Sequence, residues 1–591
     1  MRKRTEIPEE YKWQFTDLFA SPEDWQAAYD ACAAAIPSLT ALKGTLGQSA
    51  ESLTKAYDTV YAFQEKMSLV GSYAFLGKAI DGGDTASLAR ADKFEALSVK
   101  AGAALSFFEP ELMAIPPEKL DEFLGYAPLA KYAHIIADAT RLRDHVLDEG
   151  SEKILAAVRR ITATPSNTYK MFTNVEMKLP KIVGEDGQEA ELTAGNFSVY
   201  RESGKKEVRD AAFKAMFGTY GDYKGTFASV YGGSVKQDNL FAALRGYPSA
   251  RAASLANANV PEKVYDALIE AIHDAVPSMR KYLELRKKVL GLDTLDVYDL
   301  YCPMVADIDY PMPYEEAKKI VLEAVKPLGK DYQAVIARAY RENWIDVYET
   351  PGKESGAFSA GVYGVHPFVK LNYTDTLDDA FTLAHELGHA MHSYLSSEKQ
   401  DFANHGYKLL VAEVASTVNE VLLTKYLLSV ETDPKRRAYI LNLFLEGFRT
   451  TVFRQTLFAE FEYKVHEAEQ AGTPLTADFL CSLYEDLEAA YYPNAALRDE
   501  IRYEWSYIPH FYRAFYVYVY ATGFCSAVYL ASRIFETGDA QSYLEFLSTG
   551  GSDYPINELK IAGVDLTSPA VVAGAMKEFD RTIDELAKLF A

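Results

Sequence analysis

The chain has 591 residues, 49% of them apolar, which suits a globular protein with a large buried core and excludes a disordered one. Against 61 basic side chains stand 84 acidic ones, a formal charge of −23 that disfavours phosphate backbones and anionic membranes, so neither nucleic acid nor membrane is expected as a partner. The four cysteines (Cys32, Cys302, Cys481, Cys525) are widely spaced with no C-x-x-C pair, which argues against a disulfide framework or a cysteine-built zinc site and fits a reducing compartment.

The N-terminus, "MRKRTEIPEEYKWQF", has a basic start with no apolar stretch after it, and no apolar run is long enough to cross a bilayer, so a cytoplasmic location is expected. From Pro22 to about Asn174 apolar residues recur at helical spacing, interrupted by breakers at Pro37, Gly82-Gly83, Pro110, Pro116-Pro117 and Pro165. "KIV" and "AEL" then flank an Asp186-Gly187 turn signal, which predicts a short hairpin. A boundary near residue 200 divides the chain into an N-terminal helical region, 1–200, and a second region, 201–591, which carries the histidine motif described below. Amphipathic helices resume with "KVYDALIEAIHDAVPSMRKYLELRKKVLGL" and continue to the C-terminus, so the fold class is mainly α. One interval differs: "GAFSAGVYGVHPFVKLNY", residues 356–373, is rich in Gly, β-branched and aromatic residues and predicts a small sheet.

Directly after it comes "HELGHAMH", residues 385–392, with three of the chain's ten histidines. Thr376 and Asp379 have capping-box spacing, and Leu377, Phe381, Ala384, Gly388, Met391 and Leu395 mark a buried helical stripe. His385 and His389, four residues apart, lie one above the other and can offer two imidazole nitrogens to one ion. Glu386, about 100° round the helix, can reach a water on that ion without being a ligand, as a general base must.

A catalytic zinc needs a third protein ligand and an open position. The next helical stretch is "YKLLVAEVASTVNEVLLTKYLL", after a connection broken by Asn404 and Gly406. From His389 to a helix end near Ser397 the chain descends roughly 12 Å, and from Gly406 to Glu413 it climbs back roughly 10 Å, so an antiparallel pair brings Glu413 level with the histidines. On geometry alone Glu413 is balanced against a buried helix–helix hydrogen bond. The rival ligand, His392, would strain the helix and reads better as support or packing.

The string from "GAFSAGVYGVHPFVKLNYTDTLDDAFTLAHELGHAMHSY" through "AEVASTVNE" to "IPHFYRAFYVYVYATGF" resembles the oligoendopeptidase F family, relatives of thimet oligopeptidase, over nearly the whole chain. The resemblance implies one Zn2+ per chain on His385, His389 and Glu413, with Glu386 as base. It also implies a two-lobed helical body around a deep channel. In that family a histidine and closely following tyrosines stabilise the anion of peptide hydrolysis; His510 and Tyr516 match best, with Tyr520 third, although "FYVYVY" read alone alternates like a strand. The sheet would pair with an extended substrate, and His366 within it is a further candidate for substrate contact. The expected function is zinc-dependent hydrolysis of internal bonds in short unstructured peptides, without an acyl-enzyme. Two alternatives stand beside it: a helical zinc carboxypeptidase, with Arg502 or Arg513 holding the substrate's terminal carboxylate, and a non-catalytic peptide-binding body. Glu386 beside a full ligand set argues against the second.

Overall fold

The computed structural model describes residues 2–305, 308 and 310–590. The chain forms two compact units. The first comprises Met1–Asp144, Tyr310–Leu427 and Leu530–Gly563; the second comprises His145–Asp309, Leu428–Tyr529 and Val564–Ala591. Each unit thus draws residues from both sides of position 200. Helices dominate, as expected, and among the described residues no strand precedes Lys181.

In the first unit the opening helix, Pro22–Thr40, starts where Ser21 accepts the Asp24 amide and Pro22 supplies a preset φ. It runs through Pro37, which the sequence marks as a breaker. Pro37 lies in the last turn, so the helix has only three residues left when the missing N–H is felt. The next helix, Ala50–Ile80, buries Leu53, Tyr57, Val60 and Val70 against Trp25, Leu39, Leu129 and Ile136. A second cluster, Trp13, Leu76, Ile80, Val362 and Phe368, fastens this helix and the N-terminal segment to a sheet.

That sheet has three strands: β3 (Ile345–Tyr348), β4 (Phe358–Ala360) and β5 (Phe368–Tyr373), in the order β3-β5-β4; a hairpin of β1 (Lys181–Val183) and β2 (Glu189–Glu191) precedes them in the chain. β5 pairs parallel with β3 and antiparallel with β4, with Phe358 opposite Lys370 and Ala360 opposite Phe368. The centre strand is covered on both faces and therefore reads "FVKLNY" rather than as a clean alternation. Its buried Lys370 is satisfied by three carbonyls, donating to Glu354 (2.6 Å), Ser355 (3.1 Å) and Gly356 (3.1 Å), which pins the loop ahead of β4. Gly356 in that loop takes φ 74°, open to glycine at no steric cost. β3, outside the interval that predicts strands, is anchored by Asp346, which is 1% exposed, paired with Arg4 and Lys353 (2.5 and 2.8 Å), and accepts the Trp13 amide.

The second unit contains the predicted hairpin: Val183 faces Glu189 and Gly187 takes φ 76° at the turn. It also carries buried ion pairs, notably Glu446 between Arg286 and Arg449. "FYVYVY" is not a strand. Phe515 turns the chain at φ 58° and a helix, Tyr518–Thr537, begins three residues later, so the alternation reflects aromatic packing and not strand periodicity.

Candidate active site

The motif helix, Leu377–Lys399, starts in the predicted capping box: the Thr376 side chain accepts the Asp379 amide, while Asp379 Oδ2 accepts the amides of Thr374 (2.9 Å) and Thr376 (3.0 Å). Of the predicted stripe Leu377, Ala384, Gly388 and Met391 are buried, whereas Phe381 and Leu395 are only half-buried; the buried face extends instead to Ala380, Leu383, Leu387 and Ala390, because the helix packs on β4, β5 and several neighbouring helices. The helix that follows the connection is Leu409–Val430. The two approach most closely at Gly388, where a Cβ would stand 2.5 Å from the Ala415 carbonyl oxygen and 2.6 Å from Ser416 Cα. Only glycine permits this crossing. Asn419 ties it further, donating to the Ala384 carbonyl (3.1 Å) and accepting from the Tyr332 hydroxyl (3.0 Å).

The crossing brings Glu413 to the two histidines. Its Oε2 lies 3.6 Å from Nε2 of His385 and 3.6 Å from Nε2 of His389, and one donor atom from each residue falls within 4.8 Å of the others. At 3.6 Å these are not hydrogen bonds. Three donors held at about 2.1 Å from one zinc in a tetrahedral arrangement stand about 3.4 Å apart, so the two histidine–carboxylate distances and the donor chemistry fit a two-histidine, one-carboxylate zinc site. Burial and the neighbouring His385 charge push His389 down to about 4, which leaves the lone pair a ligand needs. Ser416 Oγ donates to Glu413 Oε2 (3.0 Å) and holds the carboxylate in place.

Sequence reasoning missed Glu420. It accepts a hydrogen bond from Nδ1 of His385, which fixes that ring with Nε2 turned towards Glu413. Burial alone would lower the His385 pKa, but the Glu420 hydrogen bond and charge outweigh it and raise it. The signal was present: Glu420 follows Glu413 by seven residues, two helical turns along the same face.

Glu386 is 6% exposed, and one carboxylate oxygen has no hydrogen-bond partner. Burial, with Glu413 and Glu420 adding repulsion, pushes it up to about 7 despite the opposing pull of His385. His392 stands apart from the three donors, wholly buried, its ring stacked 3.6 Å from that of Tyr407, and burial drives it down to about 3. His366 is also buried, stacked on Trp344 with its Nε2 3.2 Å from Asp17 Oδ2.

The second unit holds the other candidates. His510 Nδ1 accepts from the Tyr516 hydroxyl, and the rings of His510, Tyr516 and Tyr520 lie 5.6–6.3 Å apart. Tyr512 and Tyr518 turn away, packing on Tyr169 and Tyr265. The turn that presents Tyr516 is held by Glu462, 1% exposed, which accepts the Phe515 amide at 2.8 Å. Burial, then Arg454, lowers the His510 pKa, and burial with Tyr520 raises Tyr516 to about 12, so both are neutral at pH 7. Of the two arginines considered for a terminal carboxylate, Arg502 is paired with Glu485 (2.6 Å), and Arg513 lies over the Tyr516 ring (4.7 Å).

Residues 199–578 match the model of peptidase family M3, and residues 111–178 match that described as oligopeptidase F. Oligopeptidase PepF of Bacillus subtilis is 42% identical over 99% of this chain and 88% of its own. A solved structure from Chlamydophila abortus superposes with a TM-score of 0.96 at 32% identity, covering 100% of both chains. The oligoendopeptidase F structure from Enterococcus faecium superposes with a TM-score of 0.72 at 35% identity, covering 96% of this chain and 99% of that one. With a family model spanning well over half of it and relatives matching end to end, this chain belongs to peptidase family M3.

Proposed function

We propose that the protein is a zinc-dependent oligoendopeptidase that cuts internal bonds of short unstructured peptides. The observation that carries the reading is the convergence of His385, His389 and Glu413 with Glu386 buried on the same helix. Two imidazoles and one carboxylate suit zinc rather than calcium or magnesium, which take oxygen donors. Bound there, zinc would supply a Lewis acid that polarises the scissile carbonyl and acidifies water.

The rest of the chemistry falls to side chains of this chain. Glu386 takes the proton of the attacking water and returns it to the departing amine; a carboxyl poised near neutrality can do both. His510, neutral and with its proton on Nε2 because Nδ1 accepts from the Tyr516 hydroxyl, donates to the oxygen that gains charge when water adds, and Tyr516 holds it in that tautomer. β4 is the edge of its sheet, its outer side unpaired among the described strands, and offers backbone groups to a substrate lying extended. A folded protein rarely releases such a segment, which is why short unstructured peptides are the proposed substrates.

The test is Glu386→Gln, which keeps shape but cannot accept a proton at neutral pH. Zinc content should be unchanged while peptide turnover falls at least about a hundredfold. Near-normal turnover would remove Glu386 from the role of base, and release only of single C-terminal residues by the parent enzyme would make it a carboxypeptidase.

A further inference from the structure

The edge strand β4 is three residues long and has one strand neighbour, β5, among the described residues. So short a strand does not by itself fix where its free edge lies. The pairing shows which groups that edge carries. The Val369 amide donates to the Trp344 carbonyl (2.8 Å) and the Val369 carbonyl accepts from the Trp13 indole (3.0 Å), so both backbone groups of Val369 point away from β4. Lys370 and Phe368 therefore make the hydrogen-bonded pairs with Phe358 and Ala360, while Ser359, opposite Val369, turns its N–H and C=O outward. Both ends of β4 are held from outside this ladder. Beyond its last residue Gly361 lies against the motif helix, where a Cβ would stand 2.7 Å from Cβ of Ser393, one turn past His389. Ahead of its first residue stands a clamp from β5. Lys370, 1% exposed, directs its three donors at the carbonyls of Glu354, Ser355 and Gly356, and Asn372, on the same face two residues on, donates to those of Glu354 and Gly356 again (2.9 Å each). An apolar side chain would fill the sheet here without the desolvation cost of a buried ammonium. What the lysine adds is a fixed position for the segment that leads into β4.

We infer that Lys370, assisted by Asn372, is a positioning residue for the substrate: by clamping residues 354–356 it sets the free edge of β4 beside the motif helix, so that a peptide exchanging hydrogen bonds with the backbone of Ser359 lies in register with His385 and His389. The inference rests on the reading of β4 as the substrate-binding edge and names the groups that fix that edge in place. Neither side chain touches the peptide; each acts through the backbone of the loop it holds. Without the clamp the edge strand is free to shift, and a bond made to it is worth less.

The probes are one cleavable peptide and a set of copies, each N-methylated at a single backbone amide outside the two residues that flank the cut. They are compared by kcat/KM on the zinc-loaded parent, Lys370→Met and the milder Asn372→Ala, with zinc content and melting temperature confirming that each variant is folded. In the parent, methylating the amide that donates to the Ser359 carbonyl should lower kcat/KM about tenfold, the cost of one lost backbone bond with its acceptor left unpaired, whereas methylating either adjacent amide, which faces away from the strand, should cost less than about threefold. In Lys370→Met the unmodified peptide should fall towards the methylated one, so that the selective penalty shrinks below about threefold, and Asn372→Ala should lie between. Each figure is a ratio of two peptides on one enzyme, so a change in Glu386, in the metal or in overall stability cancels. A full-sized penalty in folded Lys370→Met overturns the inference; where Lys370→Met does not fold, a full-sized penalty in Asn372→Ala does so. A parent that cleaves the peptide but shows no position-selective penalty overturns instead the reading of β4 as the substrate-binding edge.

Discussion

Replacing Gly388 by alanine tests the helix crossing on which the site depends. The added methyl would meet the Ala415 carbonyl oxygen at 2.5 Å and Ser416 Cα at 2.6 Å, where ordinary contact begins at 3.4 Å, so the two helix backbones must separate by about 0.9 Å. Alanine in a helix interior gains about 1 kcal/mol over glycine in propensity. Overpacking costs about 1–3 kcal/mol, and a backbone-on-backbone clash, with no flexible side chain to yield, lies at or beyond the upper end. The net expectation is a loss of about 2 kcal/mol. The same separation carries Glu413 from 3.6 Å to about 4.5 Å from the histidine nitrogens, beyond the roughly 4.2 Å that two metal bonds of about 2.1 Å can span. Zinc affinity should therefore fall at least about tenfold. Urea unfolding of the metal-free protein measures the first effect and competition with a chelator the second. Gly218→Ala is the control: that helical glycine has nothing within 4 Å of its would-be Cβ, so the substitution should leave zinc affinity unchanged and stabilise slightly. If Gly388→Ala behaves like the control, the crossing does not constrain the site and the reasoning is refuted.

Three further outcomes are expected. Glu420→Ala, which frees the His385 ring, should weaken zinc binding by about 10–100-fold with little effect on unfolding; equal affinity would show that Glu420 orients nothing. Tyr516→Phe should lower kcat with KM and zinc content nearly unchanged, and a change confined to melting temperature would return Tyr516 to packing. At Glu446 burial opposes ionisation, but Arg449 and Arg286 outweigh it and hold the carboxyl down at about 2. A depressed carboxylate contributes its stability above the unfolded-state value of 4.5, and that contribution fades as pH falls towards 2. The advantage of the parent over Glu446→Gln, about 2–3 kcal/mol at pH 6, should therefore shrink steadily between pH 4.5 and 3 in urea titrations, and a constant gap would contradict the assignment.

What the sequence disclosed follows from the range of the forces that write it. The capping box at Thr376, the i, i+4 pair of His385 and His389 and the Asp186-Gly187 hairpin are local, so spacing alone reports them. Glu413 was reachable because a short connection and a fixed rise per residue constrain where an antiparallel helix returns. Glu420 follows Glu413 by two helical turns on the same face, which spacing reports, but the histidine nitrogen it holds depends on which way the His385 ring turns, which spacing does not. β3 is four residues long and pairs in parallel with a strand more than twenty positions on, a partnership with no turn signature. Pro37 misleads because its cost depends on how much helix remains after it. His366 and His392, on elements rich in apolar residues, are ring-stacked and buried, and composition does not separate such histidines from ligands. The interleaving of three chain segments in each unit is likewise a long-range outcome that no window of sequence contains.

The central claim is that His385, His389 and Glu413 together hold one zinc. Elemental analysis of the purified protein beside His389→Ala, Glu413→Ala and His392→Ala tests it most directly. The account predicts about one zinc per chain in the parent and in folded His392→Ala, with most of it lost from the other two. Full occupancy in Glu413→Ala together with loss in His392→Ala would contradict it.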